Sequence, residues 1–262
     1  MFFVLFVVNL HHTDLGGMGN PPLILLHGLL GSSRNWLTAG RDLAQRWHVL
    51  ALDARNHGKS AHDPAMNYEV LAADVADWMR SRDLAKAALM GHSMGGKTAM
   101  LLACRRPELV ERLIVVDIAP KDYAWAAHRA EFAAMNELDL SSLSSRTEAE
   151  LRFEGRVPNL GMRKFLTTNL ERNESGGWRW IVDLPVLTQA LPVLERNSLT
   201  PADRYPGPAL FIAGGKSAYV QPGDHAAIRA HFPAARIEVI PEAGHNPHME
   251  TREQFVNLMR GD

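Results

Sequence analysis

Short apolar runs, each followed by a polar loop and a helical pattern, recur along this chain. Leu23-Ile24-Leu25-Leu26, His48 to Asp53, Ala87 to Met90, Leu113 to Asp117 and Ala209 to Ala213 read as strands, and Arg236 to Ile240 as the last one. Runs that are apolar throughout belong to strands buried on both faces. Helical spacing covers 33–46, with Trp36, Leu37 and Leu43 as apolar positions, and 68–82, through Val70, Leu71, Val75 and Trp78-Met79. It returns at 221–231 and again from about Arg252. This alternation implies an α/β fold with a mostly parallel sheet covered on both sides. The loops His27 to Ser32, Arg55 to Ser60, Gly214 to Ser217 and Ala243-Gly244-His245 follow strands, and ligand sites in such sheets form at those carboxyl ends. Met1 to Val8 is apolar, lacks a basic flank and is too short to span a bilayer. It reads as a first strand, with a hairpin turn at Gly16-Gly17; a truncated export signal is the lesser alternative.

The rhythm breaks from Ile118 to about Leu199. Helical stretches around 128–138, 146–155 and 163–170 follow one another without strands, then Gly176-Gly177 interrupts. Trp178, Trp180, Pro185 and Pro192 mark a shorter, less regular section before the αβ rhythm resumes. A helical cap inserted into the α/β domain accounts for this change.

Composition narrows the picture modestly. A chain of 262 residues suits one α/β domain carrying an inserted subdomain. With 46% hydrophobic and 22% charged residues it has the make-up of a soluble globular protein. A formal net charge of -1 offers nothing to attract nucleic acid or an anionic membrane. Cys104 is the only cysteine, so no intrachain disulfide can form, which fits a reducing compartment such as the cytoplasm. The twelve histidines are scattered. Monomer and homodimer both remain open.

The candidate chemistry centres on Gly91-His92-Ser93-Met94-Gly95, a G-x-S-x-G sequence lying between a strand and a helix. The pentapeptide alone is weak evidence; its strand–turn–helix context makes Ser93 a candidate nucleophile. The turn would hold Ser93 in a strained conformation, so Gly91 and Gly95 must lack bulk, and Gly96 lets the helix approach the sheet. A serine hydroxyl needs an adjacent base oriented by an acid. His245, on the loop after the last strand, is the expected base; His248 suggests only a weak metal pair, and His225 and His231 sit on a helix. The loop after Ala213 has no carboxylate until Asp224. Asp117 ends an apolar strand, where an unpaired charge would be costly, and is favoured over Asp224 as the acid. Backbone N–H groups of Leu29 and Met94 are expected to form an oxyanion hole. Asp53, Arg55, His57 and Ser60 read as a hydrogen-bonded structural turn.

Taken together, the HG-L-L-G loop, D-x-R-N-H-G-x-S, GHSMGG, V-V-D-I-A-P and the late A-G-H resemble the α/β-hydrolase superfamily. Asp117-Ile118-Ala119-Pro120 after GHSMGGK, and a GG-x-S-x-Y-V loop lacking the usual acid, make the chain similar to small bacterial acyl-ester esterases related to mitochondrial abhydrolase-domain proteins. The resemblance implies a mostly parallel eight-stranded sheet flanked by helices, with residues 1–118 and 201–262 as core and 119–200 as helical cap. It implies a serine esterase acting through an acyl-enzyme on small acyl esters of short to medium chain, with thioesters a further class in some members. The acid in that subfamily occupies the position of Asp117, and no metal or organic cofactor is needed. His27 and the insertion's aromatics Tyr123, Trp125, Phe165 and Trp180 are candidates for the substrate pocket. Asn246 follows His245 where relatives often carry an aromatic, which bears on pocket shape. Perhydrolase and carbon–carbon bond hydrolase activities on the same triad, or a receptor without turnover, are the alternative readings.

Overall fold

A computed structural model describes residues 8–260 of the chain. In chain order the first half supplies β1 (His12–Asp14), β2 (Pro22–Leu26), α1 (Leu37–Leu43), β3 (His48–Leu52), α2 (Tyr68–Arg80), β4 (Ala87–His92), α3 (Met94–Arg105) and β5 (Val110–Val116). An insertion follows: α4 (Ala126–Glu137), α5 (Arg146–Arg152), α6 (Leu160–Thr167), β6 (Leu170–Arg172), β7 (Trp178–Trp180) and α7 (Leu184–Leu194). The chain then returns through β8 (Ala209–Gly214), α8 (His225–His231), β9 (Ala235–Ile240), α9 (Pro247–Glu250) and α10 (Arg252–Arg260).

The main sheet runs β1-β3-β2-β4-β5-β8-β9, parallel throughout except for antiparallel β1. This sheet has seven strands among the described residues, rather than the expected eight. The strand expected at Met1 to Val8 lies outside them apart from Val8. The unbroken apolar runs have a direct consequence. Alternate residues of each strand point to opposite faces. Leu23, Leu25, Met90, Ile114 and Ile212 therefore join Trp36 and Phe255 in one core. Ile24, Leu26, Leu89, Val115 and Phe211 pack on the other face with α2 and α3.

The insertion differs in detail from the sequence expectation. The irregular section around Gly176-Gly177 contains an antiparallel hairpin, β6 with β7, turning where Gly176 has φ +83°. Pro185 stands in the first turn of α7, behind Asp183, whose carboxylate accepts the Val186 N–H at 3.2 Å. Proline there starts a helix, since its missing N–H would have had no intrahelical acceptor.

Helix α3 begins directly at the end of β4, and this junction sets the positions of everything above the sheet. A Cβ on Gly91 would lie 2.1 Å from the Gly95 carbonyl oxygen. One on Gly95 would lie 2.5 Å from the Leu26 oxygen. Both neighbours are backbone and cannot move aside. Gly91→Ala is thus expected to destabilise the fold by about 3 kcal/mol or more. Thermal unfolding should show Tm lowered by roughly 6–12 °C; an unchanged Tm would contradict this close approach.

Candidate active site

Ser93 links β4 to α3 with φ +52° and ψ −116°, a strained region for a residue with a side chain. Its N–H bonds the Val116 carbonyl at 3.1 Å, and its own carbonyl accepts from Lys97 N–H at 3.0 Å. These bonds hold the turn and set the serine at the start of α3, where the helix dipole is positive.

Asp117 follows β5 and is likewise held at positive φ, +50°, with its N–H bonded to the Ile212 carbonyl at 2.8 Å. Its carboxylate is fully buried. Oδ1 accepts the Gly214 N–H at 2.9 Å, while Oδ2 accepts His245 Nδ1 at 2.7 Å and the Ser217 hydroxyl. Asp224 is engaged elsewhere, 2.6 Å from Lys121 Nζ. The end of β8 and the loop after it therefore contribute an N–H and a hydroxyl to this carboxylate. Ser217 is the serine of the GG-x-S-x-Y-V loop, to which the sequence reading gave no role.

Three further contacts fix His245, and the sequence did not announce them. Glu250, from α9, accepts the Gly244 N–H at 2.6 Å through one oxygen and the Asn246 N–H at 3.0 Å through the other. It thereby clamps the backbone on both sides of the histidine. His92 Nε2–H donates to the His245 carbonyl at 2.7 Å. Burial, with His245 and His248 nearby, pushes the His92 pKa well down, which suits a neutral ring with one donor. Tyr219 stacks on the His245 imidazole with ring centroids 3.7 Å apart and planes at 15°. His248 stacks on Trp36 at 4.2 Å, so its ring belongs to the core.

The Leu29 and Met94 N–H groups make no hydrogen bond among the described residues. Around Leu29 the loop is heavily constrained. Leu30 has φ +60°, and its N–H donates to His57 Nε2 at 3.2 Å. His27 Nδ1–H donates to the Gly28 carbonyl at 2.8 Å, and its Nε2 accepts the Ala54 N–H at 2.9 Å. Burial and then His27 push the His57 pKa down to about 3, so it serves here as a neutral acceptor. Asp53 accepts from Ser33 N–H at 2.6 Å and Lys59 N–H at 2.9 Å, and Arg55 pairs with Asp74 at 2.6 Å. The loop of Asp53, Arg55, His57 and Ser60 is a structural turn that supports the Leu29 segment.

A cavity of about 690 Å³ opens between the sheet's carboxyl edge and the insertion. Leu29, Ser93 and His245 line it from the core, and His128, Glu131 and Phe165 from the insertion. Of the five expected pocket residues, only Phe165 reaches this wall. His27 is spent on holding its loop. Tyr123 donates its hydroxyl to the Tyr219 carbonyl at 2.7 Å and accepts the Ala119 N–H at 2.8 Å. Trp125 is buried near Lys97, and Trp180 lies in the β6–β7 hairpin. The aromatics mainly build the insertion and its root.

Lys97, one turn beyond Ser93, is fully buried. Its Nζ donates to the Arg196 carbonyl at 2.5 Å and the Glu195 carbonyl at 3.3 Å, just past α7. The rings of Tyr68 and Tyr123 lie 5.5 and 4.9 Å away. Helix α3 is thus tied to the end of the insertion by a buried lysine.

A mostly parallel sheet with a serine elbow, a histidine paired with a buried carboxylate and free N–H donors at one edge defines the α/β-hydrolase class. Residues 21–251 match the family of the α/β hydrolase fold, and the chain belongs to it. Within that family it is an ester hydrolase related to the abhydrolase-domain proteins. The sn-1-specific diacylglycerol lipase ABHD11 of Mus musculus is 40% identical over 249 residues, covering 91% of this chain and 80% of the lipase. Esterase YbfF of Escherichia coli is 36% identical over 241 residues, covering 92% of each. The solved structure of a marine microorganism esterase superposes with a TM-score of 0.91 at 34% identity, covering 97% of this chain and 98% of that one.

Two predictions follow from the contacts. Glu250→Ala frees both N–H groups beside His245 and should lower kcat for a simple ester about tenfold with little change in KM; Glu250→Gln should fall between. Steady-state kinetics check this, and an unaltered kcat in Glu250→Ala would count against the clamp. For Lys97, desolvation pushes the pKa down to about 7. Between pH 7 and the ordinary lysine value of about 10.4, the unfolded chain keeps a proton that the folded chain releases, so stability rises with pH. The Tm of wild type minus that of Lys97→Met should become more positive from pH 7 to pH 9; parallel curves would refute it.

Proposed function

We propose that the protein is a serine esterase of short to medium acyl esters, acting through a covalent acyl-enzyme. In this reading Ser93 Oγ attacks the ester carbonyl as His245 Nε2 takes its proton, and Asp117 stabilises the resulting imidazolium. The N–H groups of Leu29 and Met94 hold the developing oxyanion, each donor worth about 3 kcal/mol of barrier in sites of this kind. His245 then returns the proton to the departing alkoxide, which leaves as the alcohol. In the second half His245 removes a proton from water, the hydroxide attacks the acyl carbonyl, and the acid departs as Ser93 regains its proton.

The observation that carries the reading is the fully buried Asp117 bonded to His245, with that histidine and Ser93 on one cavity wall. The strained serine and the unpaired Leu29 and Met94 donors support it. Residues 119–200 act as the cap in this proposal, closing the cavity over the acyl group. The volume of about 690 Å³ suits chains of modest length, and thioesters of similar size are a further class. A lone cysteine, Cys104, fits work in the cytoplasm. No helix among the described residues is long and apolar enough to cross a membrane.

Hydrolysis of p-nitrophenyl esters of graded chain length tests this. Wild type should turn over short chains, Ser93→Ala should abolish turnover, and Asp117→Asn should reduce kcat about 10⁴-fold. Asp224→Asn should leave kcat within about twofold, since surface pairs contribute little. Collapse of Asp224→Asn with an active Asp117→Asn would overturn the assignment of the acid.

A further inference from the structure

Helix α4 presents one face to the cavity. Ala127, His128, Ala130 and Glu131 line it, a spacing that puts four residues on one side of a helix. Two alanines make room, and the two polar residues that alternate with them form a pair. His128 Nδ1–H donates to Glu131 Oε2 at 2.6 Å. Glu131 is only 6% exposed, yet its Oε1 makes no hydrogen bond among the described residues. Oε1 is not sealed from solvent, and Glu131 lines the cavity, so this oxygen can exchange water for a donor on a ligand. Glu131 is not needed to hold α4, whose packing rests on Phe132, Ala134 and Met135.

The pair also reaches toward the catalytic side. His128 Nε2 lies 3.4 Å from the Tyr219 hydroxyl, and the Tyr219 ring stacks on His245. Burial and then the neighbouring Glu131 push the Tyr219 pKa up to about 12. The carboxylate thus lies on the cavity wall contributed by the insertion, across from the wall that holds Ser93.

We propose that Glu131, oriented by His128, is a subsite for a hydroxyl group of the substrate remote from the scissile ester. The chemistry follows from the free oxygen. A carboxylate only accepts hydrogen bonds, so its complement is a donor, and a neutral hydroxyl is the donor that an uncharged ester can carry. An all-hydrocarbon substrate that filled the same space would displace water from Oε1 and leave it unpaired. Sites built to bond a hydroxyl reject the analogue lacking it for that reason. The inference deepens the esterase reading and rests on it: the preferred esters are hydroxylated in the alcohol or the acyl part.

Matched substrates test it. Butyrate monoesters of terminal diols of two to five carbons are compared with butyrates of n-alcohols having the same number of heavy atoms. Propyl esters of terminal hydroxy acids are compared with propyl esters of plain acids in the same way. At one spacing in one series, wild type should show kcat/KM for the hydroxylated ester about tenfold or more above its partner, the size expected for a hydrogen bond to a charged group. Glu131→Leu should bring that ratio to within about twofold of unity while leaving the plain ester within about threefold of its wild-type rate. Glu131→Gln, which retains an acceptor oxygen, should keep part of the preference. No preference at any spacing overturns the subsite, as does a Glu131→Leu variant that loses both substrates equally. The esterase reading has its own readout, turnover of plain esters that vanishes in Ser93→Ala. Calorimetric binding of each pair to Ser93→Ala separates the two claims. Tighter binding of the hydroxylated member without turnover in wild type would keep the subsite and overturn the esterase. Equal binding of both members would overturn the subsite even in an active enzyme.

Discussion

A single buried carboxylate organises the carboxyl edge of the sheet in this protein. Asp117 has no exposed surface, and an ionised carboxylate there is tolerable only if its oxygens find donors. They come from three places: the Gly214 N–H at the end of β8, the Ser217 hydroxyl from the loop after it, and His245 Nδ1–H from the loop after β9. Satisfying one acid thereby fixes the relative positions of two loops and the histidine. The same bond selects the imidazole tautomer that leaves Nε2 free to accept a proton, which general-base chemistry requires.

The edge is stiffened further by groups that take no part in bond making. Glu250 grips the backbone on either side of His245, His92 holds its carbonyl, and Tyr219 covers its ring. On the opposite side His27 and His57, both buried, pin the loop bearing Leu29. Four buried histidines (His27, His57, His92 and His248) have pKa values lowered chiefly by desolvation. They behave as neutral hydrogen-bonding or stacking rings, which a protein can bury more cheaply than charges. Preorganisation of this kind matters because donors already in place need not reorganise as charge develops.

Hydrogen bonds at both ends of the insertion couple it to this frame. Lys97 bonds the carbonyls beyond α7, while Tyr68 donates its hydroxyl to the Leu194 carbonyl at 2.7 Å. At the other end Asn169 donates to the Leu30 carbonyl at 2.9 Å, beside the Leu29 N–H. The insertion and the Leu29 segment therefore share supports, so a change in the insertion can be felt on the core side of the cavity.

What the sequence determined by itself was local. Apolar runs long enough for one strand located β2, β3, β4, β5 and β8, because burial on both faces removes the need for polar alternation. The elbow was legible for a steric reason: Gly91 and Gly95 stand where any Cβ would strike backbone. The late position of His245 was visible from strand order. The partnership of Asp117 with a histidine 128 residues away was reached indirectly, through the lack of a carboxylate after Ala213, the cost of an unpaired acid at a strand end, and the family resemblance. Tertiary structure alone decided the rest. Pocket membership went to Glu131, His128 and Phe165 rather than to Tyr123, Trp125, Trp180 and His27, because helix orientation within the insertion sets which face meets the cavity. The β6–β7 hairpin escaped notice because three-residue strands are too short to show a period. The Glu250 clamp left no trace either, since a carboxylate bonding backbone N–H groups depends on the path of the chain and leaves no mark on the identity of the residues it holds.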